Sequence, residues 1–119
     1  VMHLHGTADA FLPFEGGFGI SGNTDFASVE ETLNCWITTN SSNPQPIVEA
    51  LPDTAQDACT VERYAYPATP GGAEVILIKI NNGGHTWPGS DHNPEQLGKV
   101  CFDINANDVI WDFFQQHQQ

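Results

Sequence analysis

The chain has 119 residues, 39% of them hydrophobic, which suits one domain-sized unit able to bury roughly two-thirds of its unfolded surface. Fifteen acidic side chains face only Arg63, Lys79 and Lys99, a formal charge of −12. No basic stripe exists to neutralise phosphates, so neither nucleic acid nor an anionic membrane is an expected partner. Apolar runs reach about six residues, far short of the roughly 20 that span a bilayer, and the acidic surface suits a soluble protein in an extracellular medium.

Residues 1–5 read as a short apolar strand, followed by a Gly- and Phe-rich loop over 10–27. Ser28-Val29-Glu30-Glu31 is a capping box, in which the Ser28 hydroxyl accepts from the Glu31 amide while the Glu31 carboxylate reaches back. A helix starts there. Val29, Leu33, Trp36 and Ile37 recur at helical spacing and give it one apolar face, until residues 40–46 break the pattern. Residues 59–67 alternate like a half-exposed strand, and Pro70-Gly71-Gly72 turns the chain into a hairpin with 74–80. The second strand is denser in β-branched residues and so more deeply buried. A last helix is announced by Asn105 as N-cap, Asp108 three residues on, and an Ile104–Val109 staple. Its packing face is Val109, Ile110, Phe113 and Phe114, and the polar tail 115–119 is expected to fray. The order strand, loop, helix, strand, strand, loop, helix defines an α/β chain.

Two loops carry the chemistry. His5-Gly6-Thr7-Ala8-Asp9 follows the first strand, and Gly83-Gly84-His85-Thr86-Trp87-Pro88-Gly89 follows the strand over 74–80. A carboxylate just past one strand, with a histidine on a glycine-rich loop past a later one, is how α/β-hydrolases place two members of a Ser-Asp-His triad. Ester hydrolysis needs a base of near-neutral pKa to take the serine proton, which histidine supplies. A carboxylate on its other ring nitrogen fixes the tautomer and stabilises the imidazolium. Only eight residues precede Asp9 and none is a serine, so a G-x-S-x-G elbow in that chain order lies outside this sequence. Residues 1–119 therefore read as the C-terminal part of an α/β-hydrolase catalytic domain, its sheet incomplete without an N-terminal half that brings the nucleophile.

The segments HLHGTADAFLPFEGG (3–17), SVEETLNCW (28–36), GGAEVILIKINNGGHTWPG (71–89) and DINANDVIWDFF (103–114) resemble, in order, the C-terminal portion of the secreted polyhydroxybutyrate depolymerase and feruloyl esterase family, serine esterases of the α/β-hydrolase superfamily. The resemblance implies that Asp9 is the triad acid and His85 the base, that no cofactor is used, and that the substrate is a hydroxycinnamoyl, acetyl or hydroxyalkanoate ester. It also implies a secreted protein. Phe14 stands where the family often has Tyr, and Ser42 and Thr69 stand where it carries a pair of cysteines. The resemblance thus assigns no disulfide pairing to Cys35, Cys59 and Cys101.

Several other features have a function to be weighed. Trp87 offers a rigid face beside His85 and is a candidate substrate-binding residue. His3 and His5 lie two apart and share a strand face, but no carboxylate follows at a metal-binding spacing. No metal site is expected, and His5 reads instead as orienting the Asp9 loop. The cysteine spacings of 24 and 42 residues fit no zinc ribbon or redox motif, and an odd count allows at most one internal bridge plus one free thiol, or a partner cysteine in a segment outside this sequence. Cys35 beside Trp36 reads as a core or bridging residue. The competing reading is a small secreted acidic domain that holds a carbohydrate on Trp36, Trp87 and Trp111 without catalysis.

Overall fold

The computed structural model describes residues 1–117. Strand β1 (Met2–Gly6) leads through a two-residue hairpin, β2 (Gly17–Phe18) and β3 (Asp25–Phe26), to helix α1 (Val29–Thr39). Strands β4 (Ile47–Ala50), β5 (Thr60–Tyr66) and β6 (Val75–Asn81) follow, then a 3-10 turn (Glu95–Leu97) and helix α2 (Ala106–Gln116). The main sheet has the order β1-β6-β5-β4 and is mixed. β1 runs parallel to β6, while β5 is antiparallel to both of its neighbours. The hairpin expected from Pro70-Gly71-Gly72 is present, with Tyr66 opposite Val75 and Thr60 opposite Asn81.

β6 is the spine of the core, because strand residues alternate between faces and both of its faces are covered. Val75 and Leu77 pack with Val29, Leu33 and Ile37 of α1. Ile76, Ile78 and Ile80 point the other way and join Cys59, Val61 and Cys101, with Val109 and Phe113 of α2 against them. The two helices therefore cover opposite faces of the sheet. α1 is capped as its sequence specifies: the Glu31 amide donates to Ser28 Oγ at 3.1 Å and the Ser28 amide to Glu31 Oε2 at 2.8 Å.

Several expectations need correction. β4 is a strand that the sequence pattern does not announce: it is four residues long, lies between Pro46 and Pro52, and as an edge strand exposed throughout has no burial pattern to betray it. Trp36 and Phe114 are exposed, because the faces that meet the sheet are narrower than the helical spacing allowed. Cys35 is likewise exposed, and the core thiols are those of Cys59 and Cys101. α2 continues to Gln116, with His117 as its C-cap, so the expected fraying does not begin at 115; residues 118–119 lie outside the described residues. Asn105 caps α2 by accepting from the Asn107 amide at 2.9 Å. Ser42 and Thr69 sit together, tied by a Ser42–Ala68 bridge and by hydrogen bonds from the Ser42 hydroxyl to the Ala73 carbonyl and from the Thr69 hydroxyl to the Ser41 carbonyl. Hydroxyls there do the local fastening.

Candidate active site

Because β1 and β6 run parallel in register, with Gly6 opposite Ile80, the loops that follow them leave the same end of the sheet. Their backbones are stitched together: Thr7 N donates to the Ile80 carbonyl and Ala8 N to the Gly83 carbonyl, both at 2.9 Å, and Asn82 N donates to Thr7 Oγ1 at 2.8 Å. A side chain at Gly6 would collide with the Gly83 carbonyl, so glycine is what permits this approach. On its far side the second loop hangs on residues 97–101. Gly84 N donates to the Lys99 carbonyl, His85 N to the Leu97 carbonyl and Gly89 N to the Cys101 carbonyl. A methyl at Gly84 would strike the Leu97 carbonyl.

This scaffold brings Asp9 and His85 together across 76 residues of sequence, with His85 Nδ1 2.8 Å from Asp9 Oδ2. Asp9 is 8% exposed. Its other oxygen, Oδ1, accepts from the amides of Phe11 at 2.8 Å and Leu12 at 2.9 Å. An ionised carboxylate only accepts, so Nδ1 of His85 carries the proton. Its Nε2 takes no hydrogen bond among the described residues, and the side chain is 42% exposed. The Phe11 ring tilts against the imidazole, with centroids 5.4 Å apart.

A histidine pair backs the acid. His5 Nε2 donates to the Leu12 carbonyl at 2.8 Å and lies 3.7 Å from Asp9 Oδ2. A carbonyl can only accept, so the His5 proton is on Nε2, and Nδ1 accepts from His3 Nε2 at 3.1 Å. The rings are parallel, with centroids 5.3 Å apart. Burial, followed by the neighbouring His5, pulls the pKa of His3 below its ordinary value. His5 thus anchors the loop that supplies both the carboxylate and the amides pinning it. Its partner His3 was not singled out in that role, although its spacing two residues away on one strand face was the signal available.

Asp9, His85 and Trp87 line one open cleft of about 600 Å³, mostly apolar and walled by Leu4, Leu12 and Ile110, within the range of small-molecule sites. The Trp87 indole is aimed by its Nε1–H, which donates to Asn107 Oδ1 at 3.1 Å in the first turn of α2. No serine lines the cleft among the described residues. Ser28 is used in its capping box, Ser42 donates to Ala73, and Ser90 Oγ accepts from the His92 amide. Trp111 stands on α2, the helix whose Asn107 holds Trp87, whereas Trp36 stands on α1 against the opposite face of the sheet. Among the described residues one group of potential metal donors lies close together, Asp57, Cys59 and Cys101. His3 and His5 are not in it.

A buried carboxylate holding a partly exposed imidazole at the mouth of an apolar cleft is an acid–base pair of the kind hydrolases use. Consistent with that class, the chain is 25% identical over 124 residues to "Putative esterase NocK" of Nocardia uniformis subsp. tsuyamanensis, an alignment that takes in 95% of this chain. It spans 36% of that relative's length. No family model matches the chain, and no solved structure matches it. The similarity is a distant one.

Proposed function

We propose that this chain is the C-terminal part of an α/β-hydrolase catalytic domain and supplies the acid and base of a Ser-His-Asp carboxylic ester hydrolase of the polyhydroxybutyrate depolymerase and feruloyl esterase type. The observation that carries the reading is the Asp9–His85 bond: one carboxylate oxygen orders the imidazole, two amides order the other, and Nε2 stays free. In this mechanism Nε2 takes the proton of a serine hydroxyl as it attacks the ester carbonyl and returns it to the leaving alcohol, while Asp9 stabilises the imidazolium between the two steps. The serine comes from a segment outside residues 1–119, as does most of the oxyanion hole. The substrate is a hydroxycinnamoyl, acetyl or hydroxyalkanoate ester, with Trp87 lining its acyl or aromatic part, and the enzyme acts extracellularly without a cofactor.

Fluorophosphonate labelling of the full-length protein, with the adduct located by peptide mass mapping, tests this division of the triad. The expected adduct falls on a serine outside residues 1–119, and the 119-residue chain alone takes none. A stoichiometric adduct on Ser21, Ser28, Ser41, Ser42 or Ser90 would overturn it.

A further inference from the structure

We propose that Cys59 and Cys101 are joined by a disulfide that fastens the segment supporting the His85 loop to the sheet. Cys59 immediately precedes β5, Cys101 lies just beyond the residues on which Gly84 and His85 hang, and the two are 1% and 0% exposed in the same core cluster. Their sulfurs lie within 4.8 Å of each other. The backbones beside them are already registered by one carboxylate, since Asp57 Oδ1 accepts from the Cys59 amide at 3.0 Å and Oδ2 from the Phe102 amide at 2.8 Å. Lys99 Nζ adds a bond to the Asp57 carbonyl at 2.9 Å. These contacts bring the thiols together whatever their redox state. They also argue against a metal: both Asp57 oxygens are engaged by amides, which leaves two sulfurs and too few ligands for a closed tetrahedral site.

The thiols otherwise have only long contacts, Cys59 Sγ to the Val100 carbonyl at 4.0 Å and Cys101 Sγ to Asp103 Oδ2 at 3.9 Å. Cys35 cannot compete. It is exposed on α1, across the sheet from this cluster, and so lies outside the bridge.

The bond forms by two exchanges with a disulfide oxidant such as oxidised glutathione. One cysteine thiolate attacks the oxidant's S–S bond and releases one thiol; the other cysteine attacks the resulting mixed disulfide and releases the second. Two protons and two electrons leave the protein, and the oxidant is reduced to two thiols. Burial, reinforced by Cys101, pushes the Cys59 thiol up to about 12, and burial raises Cys101 as well. Thiolate is therefore scarce in the folded chain, so the bridge closes during folding and then resists exchange.

The test uses the full-length protein carrying Cys35→Ser, refolded with a glutathione redox couple, alkylated in denaturant and digested without reductant. The expected result is a linked peptide pair containing Cys59 and Cys101, two hydrogens lighter than its parts and alkylated only after reduction. Alkylation of both thiols without reduction, a glutathione adduct on either, or a bound metal in the native mass would overturn the proposal. Because the oxidant is added, failure to secrete the protein does not affect the readout, and loss of esterase activity would not mimic it. A second measurement compares melting temperature with and without reductant. Reductant lowers it more in Cys35→Ser than after a further Cys59→Ala or Cys101→Ala change; equal sensitivity in all three would contradict the bridge.

Discussion

Asp9 Oδ2 and His85 Nδ1 stand 2.8 Å apart although 76 residues separate them in the chain. Asp9→Asn keeps the shape but presents an amide to a ring whose proton it should accept, so the imidazole loses its tautomer. The expected loss in kcat of the full-length enzyme is about 10⁴-fold, with KM little changed. A steady-state assay on an activated ester, with circular dichroism to confirm the fold, checks this.

Gly84 lies directly against residues 97–99, with no room between them for a side chain. Gly84→Ala forces a methyl into the Leu97 carbonyl, and either the loop or its support must shift. Overpacking of this kind costs roughly 1–3 kcal/mol, and kcat should fall as His85 moves. Denaturant titration and kinetics on the same sample separate the two effects.

Trp87 is held by Asn107 at the rim of the cleft. Trp87→Ala should raise KM about tenfold for an aryl-bearing ester, equivalent to ~1.4 kcal/mol of lost aromatic contact, and by less for an acetyl ester. Equal effects on both esters would mean that the indole only packs.

His3 titrates below its ordinary value because it is buried beside His5. A group whose folded pKa is lowered binds its proton more readily when unfolded, so its contribution is present above about pH 6.5 and is lost as pH falls through the folded value. His3→Gln should therefore flatten the decline of stability below pH 6.5. Urea midpoints measured between pH 7 and 5 on both proteins give the difference directly.

Much of this was legible in the sequence because the signals are local. The Ser28 box, the Pro70-Gly71-Gly72 turn and the β-branched run of β6 each encode structure within a few residues, and the two loops could be paired because each follows an apolar strand. What was not legible depends on partners distant in sequence. β4 is a strand only because β5 offers it an edge, and Cys35 and Trp36 looked internal until the sheet fixed which narrow face of α1 is covered. The meeting of Cys59 with Cys101 arises from Asp57 bridging two loops, and no spacing rule reports it. Likewise the His3–His5–Leu12 chain behind Asp9 needed the loop's return path to be visible.

The proposed role of His85 as the base of an ester hydrolase is measured most directly by the turnover of an activated short-chain ester by the full-length protein and its His85→Ala variant. Removing the base is expected to lower kcat by about 10⁴ to 10⁶-fold with the fold intact. Turnover within a few-fold of the unsubstituted protein would contradict it and remove His85 from the chemistry.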